Sequence, residues 1–201
     1  MQAIDAPRRA GRTLSDIVEF DAAVIIVFDV PPDADADFAA AWERTRSRLP
    51  TTATTLHRAL REDVDFRFVA VAYVDDPRAW ERATTEPMPF ASHASVYEIA
   101  RVDGRPDVAG GVVLINPFEV PADADEPFLT GWDRARAVLS QQQGYLGARL
   151  HRSAAPADFR FVNIARWSSP LMFARALKRP EFTDAAAAMP FASHPALYTP
   201  A

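Results

Sequence analysis

The chain has 201 residues, 49% of them hydrophobic and 24% charged, with a net charge of −5. That composition fits an ordinary globular chain of one large or two small domains, leaves no basic footprint for nucleic acid, and contains no apolar run long enough to span a bilayer. The absence of cysteine excludes disulfide staples and thiolate zinc sites, and a cytoplasmic address is expected.

Residues 1–22 mix Arg8, Arg9 and Arg12 with Asp5, Asp16 and Glu19 and lack the apolar core of a signal peptide. They are expected to form a leader that frays or packs loosely over the domain. Val24 to Val30 predicts a strand buried on both faces. A helix is expected from Asp35, which can serve as its cap, toward Leu49. Phe38, Trp42, Thr45 and Leu49 form its core stripe. Strands follow over Thr52–Ala59 and Phe66–Val74, then a short helix from Pro77 through Thr84, and a closing strand from Ser95 to Val102. Residues 104–110 read as a linker.

Beyond the linker the pattern starts again. Strands are expected near Val112–Val120, Tyr145–Arg152, Asp158–Trp167 and Ala196–Thr199. Helices are expected near Asp125–Gln142, Pro170–Lys178 and Pro180–Ala187, with Gly144 as the cap that ends the first. The letters repeat as well as the pattern. Val30-Pro31 with Asp33, Asp35, Phe38 and Trp42 returns as Val120-Pro121 with Asp123, Asp125, Phe128 and Trp132. Leu56-His57-Arg58 returns as Leu150-His151-Arg152, and Phe66-Arg67-Phe68-Val69 as Phe159-Arg160-Phe161-Val162. Met88-Pro89-Phe90-Ala91-Ser92-His93 returns unchanged as Met189-Pro190-Phe191-Ala192-Ser193-His194, and Tyr97 as Tyr198. The chain therefore reads as a tandem duplication with copies at 23–103 and 111–201. Each copy reads β-α-β-β-α-β, a unit that covers one face of its sheet and leaves the other bare. The fold expected is α+β: two ferredoxin-like repeats whose sheets face each other in an intrachain pseudo-dimeric α/β barrel.

The second copy resembles the antibiotic biosynthesis monooxygenase family of the dimeric α/β-barrel superfamily. The resemblance rests on Asn116-Pro117-Phe118-Glu119-Val120, Gly144-Tyr145-Leu146, Leu150-His151-Arg152, Phe161 through Trp167, Pro180-Glu181-Phe182 and His194 through Tyr198. It implies a pocket between the sheet and the helices of one unit, with neither flavin nor metal. In it a phenol or anthrone would react with O2 and collapse to a quinone. The first copy would complete the barrel, and a further homodimer stays open.

Within that resemblance Asn163 and Trp167 match the family's motif as donors to an oxyanion or peroxide. On a strand, Asn163, Ala165 and Trp167 share one face. His151 is the candidate acid or base, on condition that it faces the cavity. Asn116, Phe118, Phe173 and Trp132 are expected to hold the substrate. Some quinone-forming relatives carry a tyrosine where this chain has Phe173 and an arginine where it has alanines around Ala186. Haem-degrading relatives need a histidine on the helix after Phe182, where this chain has Ala185 to Ala188.

Blander readings stand beside these. Asn163 could simply bond neighbouring backbone. His57 and His151 recur in both copies, which favours structural roles, and the same holds for His93 and His194, expected in a turn that leads into the last strand. Asp33-Ala34-Asp35-Ala36-Asp37 lacks the glycine and distal glutamate of a calcium loop. Arg44, Arg46, Arg48, Arg134 and Arg136 read as solvated helix faces. The first copy has Ile26, Ala70 and Val74 where the second has Asn116, Asn163 and Trp167, so a single working pocket would belong to the second.

Overall fold

The computed structural model describes residues 22–49, 54–76 and 88–201. The expected leader, apart from Ala22, and the expected helix from Pro77 lie outside them. The first repeat contributes β1 (Ala22–Asp29), α1 (Asp35–Arg46), β2 (Thr54–Ala59), β3 (Phe68–Val74) and β4 (Ala91–Gly104). The second contributes β5 (Val112–Glu119), α2 (Asp125–Leu139), β6 (Tyr145–Ser153), β7 (Phe161–Trp167), α3 (Pro170–Leu177) and α4 (Pro180–Ala187). It ends in a split strand, β8 (Ala192–Ser193) and β9 (Ala196–Pro200).

The strands run β7-β6-β4-β1-β3-β2-β9-β5, and β5 returns to β7, so eight antiparallel strands close a barrel with β8 beside β5. Each repeat keeps its own four strands adjacent. The two sheets are joined at two seams, β4 with β6 and β2 with β9. Closure removes the free edges that each half alone would present.

Side-chain alternation then builds three cores. Ala23, Ile25 and Val27 of β1, Val69, Val71 and Tyr73 of β3, Val113 and Ile115 of β5 and Val162 of β7 point into the barrel. The alternate residues of β1 and β3 meet Phe38 and Trp42 of α1 on the outside. Those of β5, β6 and β7 meet Phe128, Leu129 and Trp132 of α2 in the same way.

Several local expectations change. Asp35 does not cap α1: the cap position is Ala34, without a side-chain bond, because the Asp35 carboxylate is taken by Arg67 and Arg58. Asp125 is taken likewise by Arg160, with Nε to Oδ1 at 2.9 Å and Nη2 to Oδ2 at 2.8 Å. The arginine in each Phe-Arg-Phe-Val motif thus pins the first helix of its repeat to the sheet. Gly144 does not cap α2, which ends at Leu139; with φ at +89° it turns the chain into β6 instead. Ala91 to His93 belong to β4 itself rather than to a preceding turn.

The duplicated histidines clasp the two repeats. His93 bonds Asp158 at 2.6 Å, and His194 bonds Asp65 at 2.7 Å and Glu119 at 2.9 Å. Both imidazoles pack on Phe66 and Phe159, whose ring centroids are 5.3 Å apart. The recurring tyrosines cross over in the same manner, Tyr97 donating to the Phe159 carbonyl and Tyr198 to that of Phe66.

Candidate active site

A mostly apolar cavity of about 260 Å³ lies between the outer face of β5, β6 and β7 and the helices α2, α3 and α4. Such a volume is larger than the roughly 150 Å³ that holds a benzene and just below the 300–1,000 Å³ usual for drug-sized ligands. It suits two or three fused rings. Period-two alternation brings Leu114, Asn116 and Phe118 from β5 and Asn163, Ala165 and Trp167 from β7 to this wall. Trp132 enters from α2, Phe173 and Leu177 from α3, Phe182 and Ala186 from α4, and Met189 and Phe191 from the segment after it.

Six of the seven sequence-derived site residues therefore meet: Asn163, Trp167, Asn116, Phe118, Phe173 and Trp132. His151 does not. It projects from the opposite face of β6 into the barrel, fully buried, with Nδ1 3.3 Å from the Val162 carbonyl and Nε2 3.5 Å from the Tyr73 hydroxyl. The alternation that brings Leu150 outward turns its neighbour inward. Burial also pulls the His151 imidazole down to about 4. The condition attached to it as an acid or base is not met.

Hydrogen-bond accounting gives the cavity its polarity. Asn116 and Asn163 are cross-strand partners. The Asn163 Oδ1 accepts from Trp132 Nε1 at 3.2 Å, and the Asn116 Oδ1 accepts from the His194 backbone N–H at 3.0 Å. Because both anchoring partners are donors, each amide is fixed with its oxygen bound and its NH2 free for a ligand. The Trp167 side chain is fully buried, and its Nε1 has no partner. Its ring is held edge-on between Tyr145 and Phe173, with centroids 5.4 Å away on either side. The wall thus offers two amide NH2 groups with no acceptor committed to them, backed by a buried indole N–H without a partner, in apolar surroundings where an unmet donor is costly.

Arg136 and Tyr145 are among the lining residues that the sequence did not mark. Arg136 is not a freely solvated helix residue: it lines the cavity and donates to Asp103 at 2.7 Å. Tyr145 lines it too and donates to the other oxygen of the same carboxylate at 2.9 Å. A basic residue one helical turn beyond Trp132, and a tyrosine opposite Trp167 across the β6–β7 ladder, were the available signals. The lining holds no histidine, and the His194 imidazole is already shared between Asp65 and Glu119, so no histidine is placed to ligate a haem iron. Among the described residues no cluster of three or more His, Asp or Glu is arranged to hold a metal.

Residues 111–188 match the family model for antibiotic biosynthesis monooxygenases. SnoaB, a cofactor-independent oxygenase from Streptomyces nogalater, is 32% identical over 45% of this chain and 93% of its own, with a TM-score of 0.42. The chain belongs to the antibiotic biosynthesis monooxygenase family. An anthrone oxidase-like protein shares the fold over 92% of this chain and 93% of its own, with a TM-score of 0.72 and 13% identity. A monooxygenase-like protein from Listeria innocua does so over 92% and 97%, with a TM-score of 0.56 and 14% identity. No curated protein matches the chain. No helix among the described residues is long and apolar enough to cross a membrane.

Proposed function

We propose that this chain is a cofactor-independent monooxygenase that oxidises a phenolic or anthrone-type aromatic of two or three fused rings to a quinone with O2, in the second-repeat cavity. The observation that carries the reading is the donor wall: two amides with bound oxygens and free NH2 groups, beside a buried indole N–H without a partner. Such a wall fits an oxygen that gains negative charge during reaction. The deprotonated substrate gives an electron to O2, and the resulting radicals combine into a ring peroxide. Loss of water from the peroxide then leaves the carbonyl, so one oxygen atom ends in the quinone and the other in water. Asn163 and Trp167 are assigned to the developing oxyanion or peroxide. Asn116, Phe118, Phe173 and Trp132 are assigned to orienting the rings, and His151 takes no part.

Asn163→Ala removes one donor and leaves the Trp132 N–H unpaired. Oxygen uptake with 1,8-dihydroxyanthrone is expected to fall about 100- to 1,000-fold, the cost of one oxyanion-stabilising donor. The unfolding free energy from urea titration should drop by no more than about 1–3 kcal/mol, that of one unmet buried polar group. Unchanged turnover would remove the mechanism.

A second reading, binding without chemistry, is favoured by Phe173 and Ala186. Both line the cavity at places where the resemblance implies a tyrosine and an arginine. Tight binding of such aromatics with no oxygen uptake across a substrate panel would select it. Haem is disfavoured by the missing axial histidine, and an unshifted Soret band on titration is expected.

A further inference from the structure

We propose that Tyr145 receives the hydroxyl of the bound aromatic at the rim of the cavity, and that Asp103, delivered by the first repeat, holds it in the accepting orientation. The inference rests on the reading of the cavity as an aromatic-binding site and adds the end of the ligand that the donor wall does not address. Tyr145 has one proton, and that proton is committed to Asp103 Oδ2 at 2.9 Å. Its oxygen is left with lone pairs only, so toward a ligand it acts as an acceptor. Burial, reinforced by the Asp103 carboxylate, raises the Tyr145 phenol and keeps it protonated in this role. Arg136 bonds the other carboxylate oxygen at 2.7 Å and fixes the side chain on which Tyr145 depends. The cavity thus carries donors at Asn116 and Asn163, with the buried Trp167 N–H behind them, and an acceptor at Tyr145. That polarity selects an aromatic with a hydroxyl at one edge and a carbonyl or oxyanion at another.

Asp103 comes from the far end of β4, in the other repeat. β4 continues past Tyr97 through a bulge between Ile99 and Arg101 to Gly104, pairing β6 as far as Gly147. Its counterpart β9 carries Tyr198 at the matching place. Arg46, the counterpart of Arg136, bonds Glu43 on its own helix instead. The arginine at this helix position therefore answers a carboxylate of a neighbouring strand in one repeat and one of its own helix in the other. A plain structural role, clamping β4 to α2 and β6, would produce the same three bonds, so the test must read ligand preference.

Binding of 2-naphthol and of naphthalene to the full chain, followed by calorimetry, separates the two. The intact protein is expected to prefer 2-naphthol by about tenfold, the worth of one good buried hydrogen bond. Tyr145→Phe should erase that preference and leave naphthalene affinity as it was. Asp103→Ala should do the same, because a freed tyrosine hydroxyl is no longer held as an acceptor. Equal binding of the two compounds by the intact protein would overturn the assignment. So would a parallel loss of both compounds in the variants, or a preference that survives Tyr145→Phe. Neither compound needs to be turned over, so a protein that takes up no oxygen can still show the preference. Failure of the intact protein to bind either compound would overturn this assignment and the cavity reading together.

Discussion

At the scale of single residues, the two Leu-His-Arg histidines are the clearest case of position deciding chemistry. His57 and His151 occupy matching places on β2 and β6, both inside the barrel, and burial pulls each imidazole down to about 4. A folded-state value below the unfolded one, near 6.5, means that the unfolded chain binds more protons between the two values. Stability from this source is complete above about pH 6.5 and is lost as the pH falls toward 4, each histidine contributing up to about 1.4 kcal/mol per pH unit. His194 works in the opposite sense. Burial lowers it, but Asp65 and Glu119 outweigh burial and leave it raised, so its contribution is present below pH 6.5 and fades as the pH rises. Urea midpoints from pH 7 to pH 4.5 should fall, and His151→Leu should flatten the fall by about half even though it lowers the pH 7 value. An undiminished slope would mean that His151 is not the buried neutral group described. Asn163 was legible because an amide stands out within a hydrophobic strand. Asp103 was not, because Asp-Gly-Arg-Pro-Asp reads as turn chemistry, and its partners Arg136 and Tyr145 lie in elements that only the folded chain brings to it.

At the scale of elements, periodicity located the described strands and helices to within a few residues, since burial face and turn residues agree along most of their length. The ends were set by tertiary partners. Asp35 and Asp125 look like caps in sequence, yet each answers an arginine just before the third strand of its repeat, and those guanidinium groups hold both carboxyls below the ordinary range. Arg160 also reaches the Ser153 carbonyl at 3.2 Å, tying α2, β6 and β7 at one point. A lysine keeps the charge but cannot reproduce the two-pronged geometry. Arg160→Lys is therefore expected to cost about 1–2 kcal/mol, a figure held down because the pair is one-fifth exposed. A urea midpoint equal to that of the parent would show that charge alone suffices. Gly111 marks another end that tertiary contact fixes. It adopts φ +69°, and a Cβ there would collide with the Trp167 carbonyl, so the entry to β5 is moulded to the end of the strand that carries the indole.

At the scale of the whole molecule, the barrel is what makes a 201-residue chain with a lined cavity in its second repeat intelligible. The first repeat closes the apolar inner face of the second. It fills its own outer layer with Ile26, Ala70 and Val74, all buried, and supplies Asp103 across the seam. The connection is itself fastened, Arg149 gripping Asp107 with both terminal nitrogens at 2.6 Å. These dependencies predict how residues 111–201 behave alone. Their inner face, with Val113, Ile115, Val162 and Tyr198, would be exposed, and the edges of β6 and β9 would lose β4 and β2. Two copies can satisfy each other by setting β6 of one beside β9 of the other, an isologous closure that rebuilds the barrel. The seams would be shorter, because β9 has five residues where β4 has fourteen. The fragment should therefore sediment as a dimer whose urea midpoint rises with protein concentration and stays below that of the full chain, in which the linker makes closure intramolecular. It should also lack the 2-naphthol preference assigned to Asp103, because neither copy carries β4. A stable monomer, or a preference undiminished in the fragment, would show that the second repeat is complete without the first.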